Sequence, residues 1–360
     1  MVVTFISKKW DRICRSPNLV CSSFPIPENR IIHSPHHVEF KAQKAYFEIR
    51  ICEQFLRDRR EYWNEYIPLT VISVECIYNR ERRLIPFILG PRILKGIEEL
   101  VSNEAVCYRN TRAVGPIPYS GDDVDIFIGL FRVKIRDWSP QALALLESIS
   151  KIFDPSDLLN YLKIARVLIE GIEFFLGMGV DMEFRLGQRT SFTDPKVHND
   201  SSSFSPGYFV IIHNEECIEK DKLWVKNSRL YTGDNESELE PYIGQDYVLY
   251  QIASFDERTD YATCDFHLQW SEVERQIYDG NDKMAIQEYQ RVIRLIGRSP
   301  DLIDKDRKRF RDKYHEEFLN IKQSFDSTNL DDLLAIAHIS SRKPEEAKDL
   351  LEGATADSKK

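Results

Sequence analysis

Residues Ala113–Asp137 read AVGPIPYSGDDVDIFIGLFRVKIRD, and the second half of this stretch decides the fold class. From Val124 to Arg136 the chain alternates. Val124, Ile126, Ile128 and Leu130 fall on one side, and Asp125, Phe127, Gly129 and Phe131 on the other. A period of two belongs to an extended strand, and apolar groups on both sides mark a central strand. Its neighbours in sequence read as strands too. Tyr66–Tyr78 is rich in β-branched residues and ends at Asn79-Arg80, a turn pair from which Arg83–Leu89 returns as the second arm of a hairpin. Val38–Phe55 alternates in part, with Phe47, Ile49 and Ile51 on one side. Gly90-Pro91 closes the hairpin unit, and Pro91–Val101 reads as a short helix.

Beyond the central strand, Ser139-Pro140 and Asp154-Pro155 each pair a capping side chain with a proline suited to a first helical turn. Apolar residues at helical spacing follow, as in Leu158, Leu162, Ala165, Ile169, Ile172 and Leu176, which predicts helices over 139–153 and 156–177 that cover one face of the sheet. Asp181–Leu186 resumes strand. Residues 190–207 form a polar loop rich in Ser and Asp. Short strands come next at Tyr208–His213, Leu223–Val225, Arg229–Tyr231 and Tyr247–Ala253, with Asn227-Ser228 as a tight turn and Gly233-Asp234-Asn235 closing the next. From Asp265 the strand signals stop. The expected fold is α+β, with a mostly antiparallel β body (1–260) carrying covering helices, a helical C-terminal region (265–352) and a frayed tail (353–360).

Charge and composition bound the function. The net charge is -9, from 49 basic and 58 acidic residues, which disfavours broad binding to nucleic acid. The apolar fraction is 42%, as in ordinary globular chains. No apolar run reaches the roughly 18 residues a membrane span needs, and the N-terminus lacks the order of charges and apolar residues of a signal peptide. The seven cysteines are widely spaced, with no CxxC, and several sit inside apolar runs. Reduced, buried thiols in the cytosol, in a bacterial setting, are the expectation.

Three places concentrate residues capable of chemistry. Asp122, Asp123 and Asp125 cluster at the head of the central strand. The YSGDD segment resembles, over these few residues, the palm hairpin of polymerases and cyclases, in which adjacent aspartates hold metal ions. That likeness implies a metal-dependent hydrolase or nucleotidyl enzyme using those acids. Against it stands an acidic turn that simply solvates a hairpin end. His36 and His37, in HSPHH, and Cys264 with His267, spaced like half a zinc site, are the other metal-ligating candidates; exposed histidines are the plain alternative. The basic run Lys305–Lys313 is interleaved with Asp306 and Asp312 and reads as a solvated helix face.

Ser299-Pro300 is expected to start a further helix whose Ile303, Phe310, Tyr314, Phe318, Ile321 and Phe325 share one side. The last five are the candidate partner-binding residues, although docking on the same chain is the closer option. No nucleophile elbow, phosphate loop or dinucleotide fingerprint is present, so no cofactor is expected. The reading that follows is a soluble, non-enzymatic binding, adaptor or assembly protein with a protein partner or self-association. The metal-dependent enzyme and a component of bacterial conflict or defence are the alternatives.

Overall fold

The computed structural model describes residues 21–33, 38–58, 60–61, 64–89, 110–134, 182–193, 203–213 and 218–340. The expected helices at 91–101, 139–153 and 156–177, the tail, and His36 and His37 lie outside these residues. In chain order the strands are β1 (Cys21–Pro25), β2 (Ile31–Ile32), β3 (Tyr46–Phe55), β4 (Arg60–Glu61), β5 (Asn64–Tyr78), β6 (Glu81–Leu89) and β7 (Thr111–Pro118). There follow β8 (Val124–Lys134), β9 (Met182–Phe192), β10 (Gly207–His213), β11 (Leu223–Lys226), β12 (Arg229–Thr232), β13 (Glu240–Pro241) and β14 (Tyr247–Phe255). Three α-helices follow, α1 (Asp265–Tyr278), α2 (Asp282–Arg298) and α3 (Asp304–Ser340), with short 3-10 turns between the strands. The architecture is α+β, with mostly antiparallel sheets first and helices at the C-terminal side. None of the described helices is long and apolar enough to cross a membrane.

One sheet runs β1-β10-β14-β3-β7, antiparallel throughout. A second centres on β5 and β8, with β6 and β9 outside them. The alternation in β8 decides which side chains go inward. Val124, Ile126, Ile128 and Leu130 join Phe47, Ile49 and Ile51 of β3 and Val248, Tyr250 and Ile252 of β14 in one core shared by both sheets. Burying each such side chain contributes on the order of 1.5–3 kcal/mol, so this core sets the stability of the body. The opposite face of β8 is also apolar at Phe127, Phe131 and Val133, all buried, as expected of a central strand. Gly129 and Gly187 sit opposite each other there. A Cβ on Gly187 would lie 2.5 Å from the Phe184 ring, so the pair leaves room for aromatic groups to lie across the sheet. A small sheet, β13-β12-β11-β2, packs Leu223, Val225 and Leu230 on the other face of the first sheet, against Val210, Ile212 and Leu249.

The turn pairs do what their residues predict. Asn79 and Arg80 (φ 52 and 66) join β5 to β6, and Asn227 and Ser228 (φ 52 and 59) join β11 to β12, both with the left-handed backbone of a two-residue hairpin. Other expectations are corrected. The strand expected from Val38 begins only at Tyr46, because residues 42–44 form a turn. Strand β9 continues to Phe192, into the expected polar loop. Phe204, expected within that loop, is fully buried and stacks on Phe40. Strands β1 and β7 were not anticipated. Both are edge strands, and β7 carries two prolines and a glycine that weaken its signal.

The described chain forms two compact units. One unites the residues up to Thr263 with Ser299–Asp306; the other holds Cys264–Arg298 and the chain from Arg307. Ser299-Pro300 does not open a helix. The Ser299 hydroxyl accepts the Asp301 N–H at 3.2 Å, and α3 starts at Asp304. Within the body, the Tyr46 hydroxyl donates to Asp306 at 2.8 Å and accepts the Ile303 N–H at 3.0 Å, while the Tyr78 hydroxyl donates to Asp301. In the helical unit Phe266, Trp270, Val273 and Ile277 of α1 are buried at helical spacing.

Candidate functional site

Strand register divides the acidic cluster that the sequence groups together. Asp122 and Asp123 are exposed at the turn before β8. Asp125 lies on β8 directly between Glu75 of β5 and Ser191 of β9, on the face turned away from the shared core. Two carboxylates side by side would repel. Arg82 offsets this by meeting Glu75 at 2.5 Å and Asp125 at 2.6 Å, and Arg189 reaches Asp125 at 3.3 Å. The Ser191 hydroxyl donates to the other Asp125 oxygen. The bond to Glu75, with the nearby Asp125, holds the Arg82 guanidinium above its usual pKa. Two acids and two bases thus close on one another.

Cys264 and His267 lie one turn apart at the start of α1. Cys264 is buried at the head of α1, and His267 Nδ1 sits 2.6 Å from the Tyr314 hydroxyl. Among the described residues, no group of three or more His, Cys, Asp or Glu side chains is placed to hold a metal ion. Lys305 pairs with Asp256 at 2.7 Å and Glu257 at 2.9 Å, and Lys313 with Glu317 at 3.8 Å, so the basic run meets local acids. Phe310, Tyr314 and Phe318 are buried within the helical unit. Their rings meet Phe266 (5.2 Å), Trp270 (4.8 Å) and Tyr289 (4.6 Å) respectively. These three aromatic groups therefore pack inside their own unit. Ile321 is half-buried, and the side chain of Phe325 lies outside the described residues.

A site that the sequence did not announce lies on the outer face of the first sheet. Cross-strand register sets Tyr208 (β10), Gln251 (β14), Arg50 (β3) and Arg112 (β7) in one row. The β11–β12 hairpin overhangs part of this row. Glu53, buried on β3, fastens the hairpin by accepting the Leu230 N–H at 2.8 Å and the Arg229 Nε–H at 3.2 Å. The result is a cleft of about 370 Å³ with Arg50, Gln251, Tyr208 and Ala253 among its lining. His33, Asn110 and the turn pair Asn227-Ser228 complete its polar rim. Ala253 is buried and small, and so leaves the volume open.

The electrostatics of the cleft are lopsided. None of its lining residues is an acid. Arg50 donates through Nε to Glu48 at 2.8 Å, but Glu48 also meets Arg112 at 3.3 Å. Arg112 has a second acid in Asp260, at 2.5 Å, which Arg258 shares at 3.0 Å. Arg50 ends this chain of charges with half a carboxylate. Its other bond is to the Asn110 carbonyl at 3.4 Å, and among the described residues its Nη2 has no partner. The Gln251 side-chain amide likewise has none, although the residue is 4% exposed. Burial raises the Tyr208 hydroxyl pKa, so it stays protonated, and Ser228 hydrogen-bonds to it. Desolvation also holds the buried Cys52 thiol protonated. The cleft offers donors and one fixed cation, which is equipment for recognition.

The cleft draws on segments around residues 32, 50, 110, 208, 227 and 251, which no local pattern links. Two signals were available: Arg50 inside EIRIC and Gln251 inside LYQIA, each a polar residue interrupting an apolar run. No family model matches the chain, and no characterised protein sequence or solved structure matches it either.

Proposed function

We propose that the chain is a non-enzymatic binding or adaptor protein whose β body receives its ligand in the cleft beneath the β11–β12 hairpin. One observation carries this reading. Of the seven non-glycine residues with positive φ among those described, four (His33, Asn110, Asn227 and Ser228) surround this single cleft. Asn227 and Ser228 are the left-handed pair of the β11–β12 turn, so the turn geometry places the hairpin end at the cleft. Two supporting points come from the charges. The acids that the sequence groups together are neutralised at Asp125 and exposed at Asp122 and Asp123. The cleft presents hydrogen-bond donors around a small apolar floor, the usual make-up of a ligand pocket.

The test is to fill the cleft. Ala253→Phe puts a ring into the open volume. Thermal shift against a library of small polar molecules and short peptides should show ligands that stabilise the wild type and lose that effect in the variant. A library in which every stabilising compound acts equally on both proteins would refute the proposal.

A further inference from the structure

We infer, resting on the binding role just proposed, that the cleft recognises an oxyanion, the carboxylate or phosphate group of a small ligand, through Arg50 and Gln251. These residues are direct cross-strand partners, so their side chains emerge side by side from β3 and β14 on one face of the sheet. Each has an open donor, Nη2 of Arg50 and the Gln251 amide N–H, with no partner among the described residues. An oxyanion carries the acceptor lone pairs that both lack, and a guanidinium beside an amide suits two oxygens of one group.

Charge selects the same ligand class. A cation would meet Arg50 with no acid in the lining to offset it. A neutral polar group would satisfy Gln251 and leave the half-compensated guanidinium as it is. An anion completes the series Arg50–Glu48–Arg112–Asp260–Arg258, in which each acid lies between two bases and Arg50 is the end that faces the cleft. Backing by Glu48 also fixes the guanidinium plane before a ligand arrives, which reduces the ordering cost of binding. The rim residues Asn110, Asn227 and Ser228 supply further donors for the remainder of the molecule.

Isothermal calorimetry with sodium phosphate and with sodium succinate, at matched ionic strength against sodium chloride, tests the assignment. Wild type should bind at least one of the two saturably, and the arm that responds identifies the source as phosphate or carboxylate. Arg50→Gln should weaken that binding roughly 10- to 100-fold, as expected for a lost charge-assisted hydrogen bond. Gln251→Leu removes the open amide while keeping an apolar fit on the sheet. It should fold at least as stably as wild type and still bind about tenfold more weakly. Wild-type affinity in both variants would overturn the inference, as would the absence of saturable binding of either anion. If the anions fail while neutral library compounds are still lost in Ala253→Phe, the binding role stands and the oxyanion assignment falls. If nothing depends on Ala253, both fall.

Discussion

On the second sheet, Glu75 and Asp125 meet Arg82 and Arg189, two carboxylates against two guanidiniums at 2.5–3.5 Å. On the first sheet, Glu48 is shared by Arg50 and Arg112, and Arg112 has Asp260 as well. The residue types are the same and both clusters lie on sheet faces turned from the shared core. The difference is in where the charges end. Where acids and bases balance, the cluster stabilises strand register and has nothing left to offer a ligand. Where the series ends on Arg50 at the edge of a cleft, one guanidinium donor stays open among the described residues. Motif reading favours the first cluster because its acids are adjacent in sequence. The structure directs attention to the second.

The scale for any such comparison comes from a site without charge. Phe310→Ala in α3 should cost about 3–5 kcal/mol in urea unfolding, because Phe310 is 1% exposed and packs on Phe266. Hydrogen exchange should place the loss of protection in α1 and α3. Retention of native protection there would mean that the stripe is not the core of the helical unit.

Next comes the clamp that makes the cleft. Glu53→Ala leaves the Leu230 N–H and Arg229 without their acceptor, and the cost should be roughly 2–4 kcal/mol. Exchange should rise in β11 and β12 ahead of the rest of the body. A uniform loss would show that the hairpin is held by its apolar side chains alone.

Breaking the balanced cluster should matter less. Asp125→Ala keeps Glu75 as a partner for both arginines, so about 1–2 kcal/mol is expected. Ligand binding in the cleft should be unchanged. Any loss of binding in Asp125→Ala would collapse the distinction between the two faces.

The pH dependence concerns the tyrosines of the body. Burial raises the hydroxyl pKa of Tyr46, reinforced by Asp306, and also that of Tyr208, both from an ordinary 10.0. Folded pKa values above the unfolded one mean that stability is full below pH 10 and is lost as pH rises further, because the unfolded chain ionises first. Tyr46→Phe and Tyr208→Phe should each flatten the alkaline fall seen in melts between about pH 9 and 11. A wild-type melt that is flat over that range would contradict the burial of both hydroxyls.

The smallest effect is expected at Asp123. It is exposed beside the turn, and Asp123→Ala should change stability by less than about 0.5 kcal/mol. Calorimetric titration with magnesium or manganese should give the same trace for wild type and variant. A saturable heat lost in the variant would revive the metal reading of the YSGDD segment.

The individual elements show what sequence reasoning can reach. The β8 alternation separated Ile126 and Ile128 from Asp125 correctly because a strand's period of two is local. The two Asn-led turns were legible because a left-handed backbone selects residue type. Phe204 was hidden in a polar loop because its burial depends on Phe40 and Phe192, both remote in sequence. Ser299-Pro300 looked like a helix start, but the Tyr46 hydroxyl takes the Ile303 N–H, and the first turn of α3 forms one step later.

By itself, then, the sequence determined the class of the protein: an α+β chain with antiparallel strands first, helices after Asp265, and an amphipathic stripe through Phe310, Tyr314 and Phe318. Each of these follows from propensity and periodicity, which act over a few residues. Only the tertiary structure decided which charges are neutralised and which are open. Arg50 and Gln251 are two hundred positions apart, and their pairing depends on the register of β3 against β14, with its bulge between Leu249 and Tyr250. A one-residue shift of β14 against β3 would turn Gln251 into the core and away from Arg50. Electrostatic balance is a property of neighbours in space, and strand register, which is set by long-range packing, chooses those neighbours.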